Sequence, residues 1–244
     1  MTNGDKRTMP PIDDFLKSVE RQGAFRKFER FRYTPYSDSE ALEIAEAIGK
    51  SLNPKFTIDD DNRFAYQNFL RWLHCDPSFV CIDPDTNQTK RGDFNKGIYI
   101  AGNTGSGKSW CLDIMRAYCK AYGMKVQWSD SDTSNLAWAT VRADAICDFW
   151  AKSGSLSDFK DKRVLGIQDF GNEPREAVYM GNKIDVLRSV LEYRGDKPDA
   201  ITLLTSNLRL DGKAIAEKYG DRVASRLYAM CNYLVIRGRD RRKL

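Results

Sequence analysis

The chain has 244 residues, 41% of them hydrophobic and 30% charged, a globular balance that excludes disulfide-stapled mini-proteins and disordered or collagen-like chains. No apolar run reaches the roughly 18 residues of a membrane helix. Residues 1–11 lack the apolar stretch of a secretory signal, so a cytoplasmic protein is expected. A net charge of +5, from 39 basic and 34 acidic residues, leans toward an anionic partner without defining one.

Residues 1–36 are polar and basic with interleaved aromatics, Phe15, Phe25, Phe28, Phe31, Tyr33 and Tyr36. They read as a short helix plus an extended arm, packed on the main domain or reserved for a partner. Ser37 opens a helix-start signal, and Leu42, Ile44, Ala45 and Ile48 carry an amphipathic pattern to Gly49. A second helix fits Asn62 to His74, with Phe64, Tyr66, Phe69, Leu70, Trp72 and Leu73 on a broad apolar face. Residues 37–96 thus read as a small helical N-terminal region that ends in a turn-rich stretch. His74, Cys75 and Cys81 lie close together but lack a fourth ligand for a closed zinc site, so the six cysteines read as core thiols.

From Gly97 onward short apolar runs alternate with helical segments. The runs are 97–101, 125–129, 164–168, 201–205 and 233–236; the helices fit 107–122, 137–152, 183–193, 212–219 and 221–230. Five strands with crossover helices predict an α/β domain over 97–244, a parallel five-stranded sheet with helices on both faces. Ligands of such sheets gather at the carboxyl ends of the strands.

Just after the first run stands Gly102-Asn103-Thr104-Gly105-Ser106-Gly107-Lys108-Ser109, which satisfies G-x-x-x-x-G-K-[ST] between a strand and a helix. Glycines let the backbone N–H groups converge on phosphate oxygens, and the helix adds the positive end of its dipole. Lys108 supplies a charge for the β- and γ-phosphates, and Ser109 can complete a magnesium shell. A bare glycine turn would not require all eight positions and both flanks. ATP with Mg2+ is therefore the expected cofactor pair.

The third run ends in Gln168-Asp169-Phe170-Gly171-Asn172-Glu173. Phosphate-loop enzymes need an acid here for the metal and commonly a second for the attacking water. Asp169 must serve one of these roles alone. Gln168 can hold a magnesium-bound water through its carbonyl but cannot neutralise charge, which predicts weak metal binding and slow hydrolysis. The fourth run ends in Thr205-Ser206-Asn207, where Asn207 either positions the water or makes an Asx turn. Arg222 and Arg226 share one helix face, as fingers for a neighbouring subunit's γ-phosphate or as ordinary ion-pair partners. Arg237 to Lys243 places five cations in seven residues, a phosphate-backbone contact or a solvated tail.

With these residues in view, Gly97 to Arg242 resembles the AAA+ ATPases of the bacterial helicase-loader group, the DnaC and DnaI type, including phage and mobile-element versions. The likeness rests on GNTGSGKS, on IQDFGNEP followed by YMGN at Tyr179 to Asn182, on LLTSNL, on YGDRVASRL and on the closing RGRDRR. It implies Lys108 and Ser109 as Walker A contacts, Asn207 as the sensor-1 residue and Arg226 as the trans-acting finger, with Arg222 second. It places Gln168 where the family has the magnesium-side aspartate, and Asp169 on the catalytic acid. No helical lid or second sensor is evident after the fifth strand. The resemblance implies a part in DNA replication, with a replicative helicase and single-stranded DNA as partners. It also implies a homo-oligomer with ATP at subunit interfaces. An IstB-like transposition helper, which would meet a transposase instead, shares most of these motifs. An ATP-gated oligomerising switch with little hydrolysis is the other alternative.

Overall fold

Segments with helical period and segments with apolar runs fold as two kinds of element. The structure, a computed structural model, describes residues 11–21, 28–211, 213–238 and 240–241. The sequence readings at Phe25, Gly212, Arg239, Arg242 and Lys243 lie outside the described residues.

Helix α1 (Ile12–Arg21) and the short strand β1 (Glu29–Arg30) precede α2 (Asp38–Leu52) and α3 (Arg63–His74). Ser37 caps α2 reciprocally: its side chain accepts from the Glu40 N–H, and the Glu40 carboxylate accepts from the Ser37 N–H at 2.8 Å. Two short strands follow, β2 (Val80–Ile82) and β3 (Thr89–Arg91), then β4 (Gly97–Gly102) and α4 (Lys108–Tyr122). The hairpin β5 (Lys125–Ser129) and β6 (Asp132–Asn135) leads to β7 (Ala139–Arg142), α5 (Ala143–Ser153) and the single turn α6 (Ser157–Lys160). The chain continues through β8 (Val164–Phe170), a second hairpin of β9 (Ala177–Tyr179) and β10 (Asn182–Ile184), and α7 (Val186–Asp196). It ends with β11 (Ile201–Ser206), α8 (Lys213–Tyr219), α9 (Asp221–Met230) and β12 (Cys231–Ile236).

The main sheet has the order β3-β2-β12-β4-β11-β8-β7. Its five strands from β12 to β7 are parallel, whereas β2 and β3 extend one edge antiparallel. Both faces are covered, so successive residues of one strand bury on opposite sides. Ile98 and Ile100 of β4 join the cluster under α2, α3 and α4, and Tyr99 and Ala101 join the one under α5, α7, α8 and α9. Each large aliphatic side chain so buried contributes roughly 1.5–3 kcal/mol. The parallel five-stranded core with helices on both faces is borne out, and the whole sheet is two strands wider.

One strand assignment is corrected. The run 125–129 is a strand, but it pairs antiparallel with β1 and β6 in a separate three-stranded sheet. The parallel sheet takes its second strand from 139–142, inside the segment read as the start of a helix over 137–152. Val126 and Trp128 carry a clear alternation because they bury against Phe28 and its surroundings. The true edge strand, Ala139-Thr140-Val141-Arg142, is half-exposed, and its alanine-rich surroundings carry a helical pattern.

Candidate functional site

A cavity of about 490 Å³ opens at the carboxyl end of the parallel strands, on the α4 side of the sheet. One wall is the loop between β4 and α4. Gly105 and Gly107 adopt φ of +75° and +97°, a left-handed backbone open to glycine at little cost, and Gly107 is the N-cap of α4. The first N–H groups of α4 have no partners within the helix, and the residues that carry them, Lys108 and Ser109, line the cavity. Buried Lys108 donates through Nζ to Gly102 O and Asn103 O, each at 2.8 Å, and to Asn207 Oδ1 at 2.7 Å. The Ser106 hydroxyl is buried in the same wall with no protein partner.

Asn207 owes its place to the turn after β11. Ser206 donates its hydroxyl to Phe170 O at 2.6 Å and accepts from the Leu208 N–H at 2.9 Å, fastening the end of β11 to the end of β8. Asp169 lines the cavity from β8. Its φ is +57°, at a register shift between β8 and β11, and its N–H donates to the Thr205 hydroxyl at 3.1 Å. Aspartate tolerates that backbone better than most residues. The Asp169 carboxylate accepts from Arg142 Nη1 at 2.8 Å. Arg142, last in β7, also grips Asp144; this hydrogen bond, followed by the charges of Asp144 and Asp169, raises the guanidinium above its ordinary value.

Gln168 is turned away from this wall. Its Nε2 donates to Asp113 Oδ2 on α4 at 3.0 Å, and it does not line the cavity. Ser109 does line it, together with Asp169. Glu173 is buried behind β8, where its carboxylate accepts from the Gly171 N–H and from Tyr219. Arg222 and Arg226 lie away from the cavity on α9. Arg226 pairs with Asp196 at the end of α7, and Arg222 reaches Asp196 at 3.6 Å and Glu192 at 3.9 Å. Within one chain both arginines are ordinary ion-pair partners.

The opposite wall comes mainly from residues 53–66, which carry no motif. Asn62 organises the turn before α3, accepting from Asp59 N–H at 2.9 Å and donating to Thr57 O at 3.1 Å. Phe56 stacks on Trp110, with centroids 5.8 Å apart and planes at 19°, and meets Tyr66 edge-on. Burial raises the Tyr66 hydroxyl well above its usual range. Arg241 closes the wall by donating to Asp59 Oδ1 at 2.5 Å, the hydrogen bond that chiefly holds Asp59 below the usual carboxylate range. The spacing of Phe56, Tyr66 and Trp110 gave no signal, because their convergence depends on α3 packing beside α4.

The donor set fits a nucleoside triphosphate: a glycine loop, a buried lysine, a helix N-terminus and an unpartnered hydroxyl. It fits magnesium as a cation held mainly by phosphates and water, through Ser109 and Asp169. Among the described residues no group of three or more His, Cys, Asp or Glu could cage a metal. His74 instead hydrogen-bonds Tyr118 at 2.9 Å, and Cys75 and Cys81 are buried thiols. Among the described residues no helix is long and apolar enough to cross a membrane.

The fold and loop define an α/β protein with a parallel sheet and a phosphate-loop motif between β4 and α4. No protein-family model and no curated protein matches the sequence. Similar solved structures include a candidate primosome component from Streptococcus pyogenes serotype M3, at 18% identity and TM-score 0.47, over 75% of this chain and 83% of that one. The DnaC helicase loader is similar at 17% identity and TM-score 0.46, over 76% and 95%. AMPPCP-bound DnaA from Aquifex aeolicus is similar at 18% and 0.45, over 75% and 48%. Such identities and scores leave the reading of the site to the chain's own geometry.

Proposed function

We propose that the chain is an ATP-binding AAA+ protein that acts in the cytoplasm during DNA replication as a helicase loader or remodeller on single-stranded DNA. The observation that carries nucleotide binding is the Lys108 ammonium, buried beneath the glycine loop and bridged to Asn207. Lys108 would exchange backbone carbonyls for β- and γ-phosphate oxygens, and Asn207, released from the lysine, would be free to orient the attacking water. The aromatic face of Phe56, Trp110 and Tyr66 suits a base. Ser109 and Asp169 would hold magnesium, which draws charge from the phosphates when bound. The replication role, and helicase and DNA as partners, rest on the motif order from GNTGSGKS to YGDRVASRL.

A second reading, an ATP-gated oligomerising switch with little hydrolysis, is favoured by the acids. Asp169 is tied to Arg142 through one carboxylate oxygen, which competes with magnesium and water for it, and Gln168 is spent on Asp113. Either reading needs Arg226 to release Asp196 before it could reach a neighbour's phosphate.

ATP turnover by the full chain, with and without single-stranded DNA and beside fluorescent-ATP binding, separates these readings. DNA-stimulated turnover lost in Lys108→Ala supports the loader, and tight binding without turnover supports the switch. A chain that binds no ATP refutes both. Co-purification then decides the partner, since a transposase in place of a helicase would point to transposition.

A further inference from the structure

Just beyond β12, the described residues Arg237, Asp240 and Arg241 lie against both walls of the cavity. The Arg237 N–H donates to Asp61 O at 2.9 Å on the aromatic wall, and the Arg241 N–H donates to Gly105 O at 2.9 Å on the loop wall. Asp240 lies so close to Gly105 that an added Cβ there would collide with its carboxylate. The backbone is therefore tied to both walls, and the Arg241 side chain lies across the gap. Its Cδ approaches the N-cap Gly107, 3.6 Å from where a Cβ would stand.

The bonding of that guanidinium is incomplete. Nη2 pairs with Asp59, but Nε is buried with no hydrogen-bond partner, and only 18% of the side chain is exposed. Arginine carries five N–H donors in a planar fork, and leaving one buried and unmet costs free energy that a suitable acceptor would recover. The cavity it lines already gathers a lysine and a helix N-terminus, which favour anions. Asp59 is a weaker partner than a phosphate chain, because its carboxylate is 42% exposed and carries a single charge.

We propose that Arg241 is a phosphate-binding residue of this cavity, held in reserve by Asp59 until a nucleoside polyphosphate enters. The inference rests on the nucleotide reading above and deepens it. When the ligand binds, the guanidinium exchanges Asp59 for phosphate oxygens. An arginine far from the loop in sequence then completes in cis a charge set that Lys108 begins.

The test uses the full chain with Arg241→Ala, Arg241→Lys and Asp59→Asn, each checked by thermal melting without nucleotide. Fluorescent ATP and ADP report polyphosphate affinity, and adenosine competition reports the base alone. Loss of a charged hydrogen bond predicts ATP and ADP binding weakened about tenfold in Arg241→Ala. Arg241→Lys should fall between it and wild type, and Asp59→Asn should bind ATP as well as wild type or better. Adenosine should be unaffected throughout. Unchanged ATP affinity in Arg241→Ala overturns the proposal. So does an equal loss in Asp59→Asn, which would make the ion pair a mere brace, or an equal loss for adenosine, which would put Arg241 on the base. A wild-type chain that binds no ATP overturns the nucleotide reading itself, whereas wild-type binding with an indifferent Arg241 overturns this inference alone.

Discussion

The two walls of the cavity are built on opposite principles. The loop wall is eight consecutive residues whose geometry is local: a strand end, two left-handed glycines and the first turn of a helix. The facing wall joins residues 53–66 to Arg241, separated by most of the chain, and exists because α3 packs against α4 and β12 carries the tail back. A phosphate needs backbone N–H groups in a fixed cradle, which short-range geometry supplies. A base needs a flat apolar face, which only tertiary packing assembles here.

The largest test of that contrast is Phe69→Ala. Phe69 is fully buried on α3, stacked on Trp138 at 6.3 Å and edge-on to Trp72 at 5.7 Å. Truncating such a ring costs about 3–5 kcal/mol. Residues 37–96 and the sheet share one apolar cluster, so a single cooperative transition should move down, by roughly 2–4 °C per kcal/mol for a chain of this size. Two separate transitions, only one of them shifted, would break the comparison and make the aromatic wall an appendage.

At the far end of the loop wall, Arg142→Ala asks whether Asp169 is restrained. If departure from Arg142 limits hydrolysis, removing the arginine should raise saturated ATP turnover about tenfold, equivalent to roughly 1.4 kcal/mol at the barrier. Fluorescent-ATP affinity should hardly change. Turnover that falls with binding intact would mean that Arg142 itself serves the bound phosphates.

What could be read beforehand follows the same division. The strand ends at Gly102, Asp169 and Asn207 were legible because continuous apolar runs and a glycine motif are written in neighbouring residues. The swap of 125–129 for 139–142 in the parallel sheet was not, since β7 is a half-exposed edge strand whose alternation is weaker than that of the strand outside the sheet. Pairing with β8 decided it, and pairing leaves no mark within a short window. The long-range contacts of Arg142, Asp113 and Arg241 were likewise unreadable, for Arg142 and Asp113 also have partners in their own segments and all three contacts join residues distant in sequence.

The smallest expected effect lies where the two walls are joined. His74, at the end of α3, hydrogen-bonds Tyr118 on α4, and burial lowers its pKa from the ordinary 6.5 while the charges of Asp38 and Asp76 partly oppose that shift. The native ring is therefore neutral, and as pH falls below about 6.5 the unfolded chain takes up a proton that the folded chain resists. The stabilisation is complete above that pH and is lost as pH falls through the lower, folded value. His74 is the only histidine, so no other side chain titrates at its ordinary value between pH 5.5 and 7.5. Thermal melting across this window should show stability declining toward the acid side in the wild type and a flatter profile in His74→Gln, which keeps a hydrogen-bonding group without the titration. Equal slopes in the two proteins would assign the acid sensitivity elsewhere and leave the junction between α3 and α4 indifferent to pH.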